Sequence, residues 1–317
     1  MANTYKAAFL EQMVLRFGPL EKLPGSQSLY SVGGDAARIY IRYSKLHDEK
    51  RTFFGLREVD LRQLEGHNSF LCFLADTDAP PVFVPYADFE EIFREAHAAS
   101  DGQYKAQLLL VHDGLELYVA RCGRFNVEAY AGFETIERAA STGKGDTPVS
   151  LSHSGVQTLL AAVGNLKGYD VWIPAHDACR LEWALAKPFK LRPSIPRGYS
   201  EVEPILSEID VVWVTKSRDA IQALFEVEHT TTIYSGLLRF NDLLLSNPRL
   251  SRFSIVSNES RRAIFSRQLF RPTFQRSGLA EVTSFLEYRN VYDWHSRLSG
   301  GRSAQSLSAA RIDQPVP

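Results

Sequence analysis

Residues 209–245 read IDVVWVTKSRDAIQALFEVEHTTTIYSGLLRFNDLLL, two apolar runs followed by a longer periodic one. IDVVWV (209–214) and AIQALFEVEH (220–229) are apolar runs rich in β-branched and aromatic residues, which reads as two buried strands. A run such as ALFEVEH lacks the clean alternation of a strand with one wet face. TTIYSGLLRFNDLLL (231–245) then reads as a helix.

Three acids sit on these strands: Asp210 opens the first, and Glu226 and Glu228 lie near the end of the second. Residues two apart on a strand share a face, so Glu226 and Glu228 project together, and Asp210 joins them if the strands are neighbours. Carboxylates converging at the end of an apolar sheet repel one another unless some are neutral or a cation sits among them. Hard oxygen donors favour Mg2+, with Mn2+ as a substitute. A divalent ion held there lowers the pKa of a bound water and stabilises charge on a phosphate. The competing reading is three surface carboxylates at strand ends, against which the apolar character of the second run argues.

Outward from this stretch, LSHSGVQTLLAAVGNL (151–166) reads as an amphipathic helix with Gly168 just past its end. YDVWIP (169–174) and RFSIVS (252–257) read as strands and ESRRAIFSRQL (259–269) as a helix, giving the order α-β-β-β-α-β-α. With Asp210 on one strand and Glu226-Val227-Glu228 on the next, the pattern resembles the core of the PD-(D/E)XK nucleases, a group that includes many type II restriction endonucleases. Together with GYDVWIPAHD and RQLFRPTF it looks like a nuclease domain that recurs in bacterial restriction and defence proteins, over residues 150–290. The resemblance implies an α/β fold: a restriction endonuclease-like αβββαβ core with a mixed sheet. It also implies a metal held by Asp210, Glu226, the Val227 backbone carbonyl and Glu228. The departure is Glu228, where the family usually has lysine; a minority of restriction enzymes similarly carry glutamate there.

Eight arginines against Asp242 and Glu259 give the segment 239–276 a local balance of +6. Arg239, Arg261, Arg262, Arg267 and Arg271 are the candidate phosphate contacts, since the guanidinium fork suits phosphate oxygens. Any one of them alone is better read as part of a solvated helix face with local ion pairs; it is the cluster that points to phosphate. His153 and Gln157, one helical turn apart, share a face of the first helix and are candidate neighbours of the metal, or simply solvent-facing polar residues. His229 points away from Glu228 and reads as packed, and His176-Asp177 as the cap of a turn.

Residues 1–138 read as an α+β domain on an antiparallel sheet, with strands at 37–43, 51–57, 69–75, 81–86, 105–112, 115–121 and 124–130 and helices at 58–65 and 87–98. Asp113-Gly114 marks a hairpin. Tyr40, Tyr43, Phe53, Phe54, Phe83 and Tyr86 read as core aromatics. Arg38, Arg42, Lys45, Lys50, Arg51 and Arg57 form a basic stretch. A DNA-recognition or sensing module and a dimerisation scaffold both fit this domain. AASTGKGDTP (139–148) reads as a linker, 149–295 as the nuclease domain and 296–317 as a disordered tail.

A length of 317 residues allows two domains with proper cores, and a net charge of −1 does not by itself single out a nucleic-acid binder. Cys72, Cys122 and Cys179 form no CxxC pair and read as reduced, buried thiols. No signal peptide or 18-residue apolar run is visible, so a soluble cytoplasmic protein is expected. The expected activity is hydrolysis of double-stranded DNA by a homodimer, in restriction or anti-phage defence, with a cognate DNA methyltransferase as a partner. An inert DNA-binding module on the same fold, or a nuclease for RNA or repair intermediates, are the alternatives.

Overall fold

A computed structural model of the chain describes residues 4–23, 25–33, 36–47, 51–76, 79–96, 98–112, 114–142, 150–229, 232–250, 252–299 and 311–312. The chain divides into two compact units, one of residues 1–146 with 302–317 and one of 147–301.

The first unit runs α1 (Thr4–Phe17), β1 (Leu20–Lys22), β2 (Leu29–Val32), β3 (Ala37–Ser44), β4 (Phe54–Arg57), α2 (Glu58–Arg62), β5 (Ser69–Ala75), β6 (Val82–Pro85), α3 (Tyr86–Glu95), β7 (Gln103–Val111), β8 (Gly114–Val119), β9 (Gly123–Asn126) and α4 (Glu134–Thr142). It holds two sheets where the sequence predicts one antiparallel sheet. The first is β1-β2-β3-β5-β6, with β3 and β5 parallel. Both strands are buried almost throughout, as the centre of a covered sheet requires. The other sheet runs β4-β7-β8-β9 and takes β15 (Arg311–Ile312) antiparallel on β9. The hairpin expected at 113–114 joins β7 and β8; Asp113 itself lies outside the described residues.

Of the aromatics expected in the core, Tyr40, Phe54, Phe83 and Tyr86 are buried and Tyr43 is partly so. Phe53 is exposed, because it precedes β4 and packs only at the surface against His47 and Arg51. The basic stretch is spent internally only in part: buried Arg38 donates to the Gln63 carbonyl at 2.9 Å and Arg57 forms a forked pair with Asp60, whereas Lys45 and Arg51 are exposed. Lys50 lies outside the described residues. The cysteines are free, but only Cys72 is buried; Cys179 is exposed at the end of a short helix, where its thiol donates to the His176 carbonyl.

The second unit runs α5 (His153–Leu166), β10 (Asp170–Trp172), α6 (Ala175–Ala178), α7 (Glu203–Leu206), β11 (Val211–Thr215), β12 (Ala220–Val227), α8 (Ile233–Ser246), β13 (Phe253–Ser257), α9 (Arg262–Leu269), α10 (Pro272–Arg276), α11 (Leu279–Val282), β14 (Thr283–Glu287) and α12 (Tyr288–Ser299). Its sheet is β10-β11-β12-β13-β14, antiparallel up to β12 and parallel from there. Alternate residues feed opposite cores. Leu224 and Val212 pack with Leu237 and Phe240 of α8, whereas Phe225 and Trp213 pack with Leu159 and Val163 of α5 and with Trp294 of α12. Ser152 caps α5 by accepting from the Gly155 amide at 2.9 Å.

Some expected boundaries move. The linker placed at 139–148 begins inside α4, which is anchored by buried Ile136; residues 143–148 lie outside the described residues. The nuclease domain placed at 149–295 ends inside α12, because buried Trp294 and partly buried Leu298 tie that helix to the core. Within the expected disordered tail, 296–299 finish α12 and Arg311–Ile312 pair with β9; the remainder lies outside the described residues. Among the described residues no helix is long and apolar enough to cross a membrane.

Helix α5 approaches the sheet closely at Gly164, where an added Cβ would lie 2.5 Å from Nε1 of buried Trp213. That indole donates to the Leu160 carbonyl at 3.1 Å and cannot easily retreat. Alanine normally gains about 1 kcal/mol over glycine in a helix, so Gly164→Ala separates propensity from packing. Denaturant unfolding is expected to show a net loss of about 1–3 kcal/mol; equal or greater stability would contradict the close approach.

Candidate active site

The acids meet at one end of the second unit's sheet. Val211 pairs with Phe225 in antiparallel register, so one step further Asp210 stands beside Glu226. Asp210 Oδ2 accepts the Val227 amide at 2.6 Å, fixing the end of β11 to the end of β12. Glu226 is the penultimate residue of β12 and Glu228 follows its last; each is only 2% exposed. Both lie towards α8. A Cβ added to Gly236 would sit 2.9 Å from Glu228 Oε1 and 3.4 Å from the Glu226 Cβ. Glycine here lets α8 cross the acidic strand without displacing either carboxylate.

Arg239, one turn beyond Gly236, grips Glu226 with a forked pair, Nε to Oε1 at 2.6 Å and Nη2 to Oε2 at 3.1 Å. The pair does not fully compensate the carboxyl. Burial pushes the Glu226 pKa up to about 8, Arg239 offsets part of the rise, and neighbouring Asp210 and Glu228 add to it.

On the far side of Asp210, Gln157 of α5 is fully buried, and its Nε2 lies 3.2 Å from Asp210 Oδ1 and 3.2 Å from Asp177 Oδ2. His153 Nε2 lies 3.4 Å from Asp210 Oδ1, and hydrogen bonding to that aspartate raises the imidazole pKa. The structure therefore brings His153 and Gln157 to Asp210. His229, expected to be packed, is exposed, because it lies just past the end of β12; its ring stacks on Tyr288 and its Nδ1 lies 3.0 Å from the phenol oxygen.

The arginines divide. Arg261 donates from Nη1 to the Glu228 and His229 carbonyls at 2.6 and 3.0 Å, and Arg262 pairs with Glu259 at 2.6 Å over the Phe285 ring. Arg239 faces the acids. Arg267 and Arg271 are exposed, the latter over the Tyr234 ring. Asp177 and Gly236 also lie at the site, and neither is marked as a site residue by the sequence pattern. A glycine inside the apolar pattern of YSGLLRF was the available signal for the second, since such glycines mark close packing.

Among the described residues, no group of three His, Cys, Asp or Glu side chains has metal-holding geometry. The donor chemistry nevertheless fits a hard divalent cation. Two buried carboxylates face one guanidinium, and burial, with the charges of Asp210 and Glu228 beside it, drives Glu226 towards its neutral form.

The profile of a restriction-enzyme family, type II restriction enzyme NmeDI C-terminal domain, matches residues 135–314, more than half of the 317-residue chain. The chain belongs to this family. The NmeDI match spans both strands that carry the acids, α5 and α8, and implies a restriction-type endonuclease. No curated protein and no solved structure matched in the corresponding searches.

A carboxyl whose folded-state pKa is raised binds its proton more tightly than in the unfolded chain. Its contribution to stability is therefore complete below about pH 4.5 and is lost as pH rises through about 8. In chelator, the melting temperature of wild type relative to Glu226→Gln should fall between pH 5 and 8, with a stability slope of up to about 1.4 kcal/mol per pH unit. Parallel pH profiles for the two proteins would contradict an under-compensated Glu226.

Proposed function

We propose that this NmeDI-family chain is a metal-dependent endonuclease of PD-(D/E)XK type, hydrolysing phosphodiesters of double-stranded DNA in restriction or anti-phage defence. The observation that carries the reading is the convergence of Asp210 with buried Glu226 and Glu228 at one sheet end, in a chain of a type II restriction enzyme family. The order α5-β10-β11-β12-α8-β13, with the short helices α6 and α7 inserted between β10 and β11, supports an αβββαβ core.

Asp210, Glu226 and the Val227 carbonyl would hold the ion, with Glu228 as a further ligand or as the group that orients the attacking water. When bound, Mg2+ or Mn2+ supplies a Lewis acid for the phosphate and lowers the pKa of the attacking water. Arg239 holds the Glu226 carboxylate in a fixed plane. It also brings the site, from α8, a positive charge that a lysine in place of Glu228 would otherwise bring from the strand. Exposed Arg267 and Arg271 suit phosphate contacts along the backbone, whereas Arg261 and Arg262 shape the loop after β13. Cutting both strands requires two such sites, hence a homodimer. Residues 1–138 would read the target, and a cognate DNA methyltransferase would protect the host's own sites.

One observation favours a second reading, an inert DNA-binding module. Arg239 already pairs with Glu226, and the described acids do not form a metal-holding group. Nicking of supercoiled plasmid in Mg2+ separates the two. Glu226→Ala should lower the rate at least 100-fold, a typical scale for losing an essential charge-stabilising group, while DNA binding in chelator stays near wild type. Glu228→Lys, which changes the site's charge by two, should also be strongly impaired. Wild type that never nicks DNA in Mg2+ or Mn2+ would favour the inert module, and an active Glu226→Ala would refute the site.

A further inference from the structure

We propose that Asp177, in the short helix α6 after β10, is a positioning residue for Asp210 and acts through the buried carboxamide of Gln157. The role rests on the reading of Asp210 as a metal-holding residue. A carboxamide nitrogen carries two N–H donors. Gln157 directs one to Asp177 Oδ2 and the other to Asp210 Oδ1, each at 3.2 Å. The two acceptors decide which way the amide faces, because the opposite orientation would set its oxygen against two carboxylates.

Asp177 thus holds Gln157, and Gln157 holds one oxygen of Asp210 while the Val227 amide holds the other at 2.6 Å. Both oxygens of the aspartate are fixed before any ligand arrives. The arrangement is unfavourable for stability alone. It brings two aspartates onto one neutral donor and leaves Gln157 Oε1 buried without a hydrogen-bond partner. Two histidines also face the pair, His153 at 3.4 Å from Asp210 and His176 at 3.4 Å from Asp177. Outer hydrogen bonds of this kind orient ligating carboxylates and tune metal affinity.

Charge and position make opposite demands at residue 177. Asp177→Asn keeps an acceptor oxygen in place without the charge, whereas Asp177→Glu keeps the charge but moves the oxygens by a methylene. The test is calorimetric titration of Mn2+ into the full-length chain without DNA, with circular dichroism melts to establish that each variant is folded. Asp177→Ala and Gln157→Met should each weaken Mn2+ binding about tenfold, Asp177→Glu should weaken it similarly, and Asp177→Asn should bind like wild type. The double variant Asp177→Ala/Gln157→Met should be no worse than Gln157→Met alone, since one effect passes through the other. If Asp177→Ala does not fold, the contrast between Asp177→Asn and Asp177→Glu carries the test.

Additive losses in the double variant would overturn the proposal, as would a weakened Asp177→Asn beside an unaffected Asp177→Glu. So would unchanged affinity in Asp177→Ala when Asp210→Ala loses binding, which would leave the metal site standing. A wild type that binds no Mn2+, with Asp210→Ala identical to it, would remove the metal reading and the positioning role together.

Discussion

A carboxylate taken out of water must find compensating charge or surrender its own, and Glu226 is caught between the two. It is nearly fully buried at the end of β12, gripped by the Arg239 fork from α8 and crowded by Asp210 and Glu228. The neighbouring structure follows from that constraint. Helix α8 must cross close enough for Arg239 to reach, and Gly236 makes the approach possible. The end of β11 must stay beside β12, and the bond from the Val227 amide to Asp210 keeps it there. Such a site is poor for stability and well suited to attracting a cation.

The acidic centre was legible in the sequence because strand periodicity is short-range. Two apolar runs and the spacing within Glu226-Val227-Glu228 are enough to place those side chains on one face. Helix α8 was legible too, from the periodicity of 231–245. The grip of Arg239 on Glu226 was not, since it depends on how far α8 sinks onto the sheet, a matter of Gly236 and Ile255 rather than of residue 239. Asp177 was hidden for a similar reason: α6 contributes one side chain from a four-residue turn whose periodicity carries no signal. In the first unit β3 to β9 were visible as strands, but the short β1 and β2 and the division into two sheets were not. The parallel pairing of β3 with β5 sends β4 to the other sheet, and strand propensity does not encode partner choice.

The arginines show how tertiary structure sorts a charge cluster that composition can only count. Arg261 serves backbone carbonyls, Arg262 a neighbouring glutamate and Arg239 the acidic centre, while Arg267 and Arg271 remain exposed. The same sorting removes Arg38 and Arg57 from the basic stretch of the first unit, so a nucleic-acid surface there would have to be built from other residues.

Asp210 and Glu226 are proposed to form one divalent-cation centre, and anomalous diffraction from crystals grown with Mn2+ locates such an ion. An anomalous peak is expected within coordination distance of both the Asp210 and Glu226 carboxylates and is expected to be lost in crystals of Asp210→Asn. A peak only elsewhere on the molecule, with the Arg239–Glu226 pair unchanged in saturating Mn2+, would contradict it.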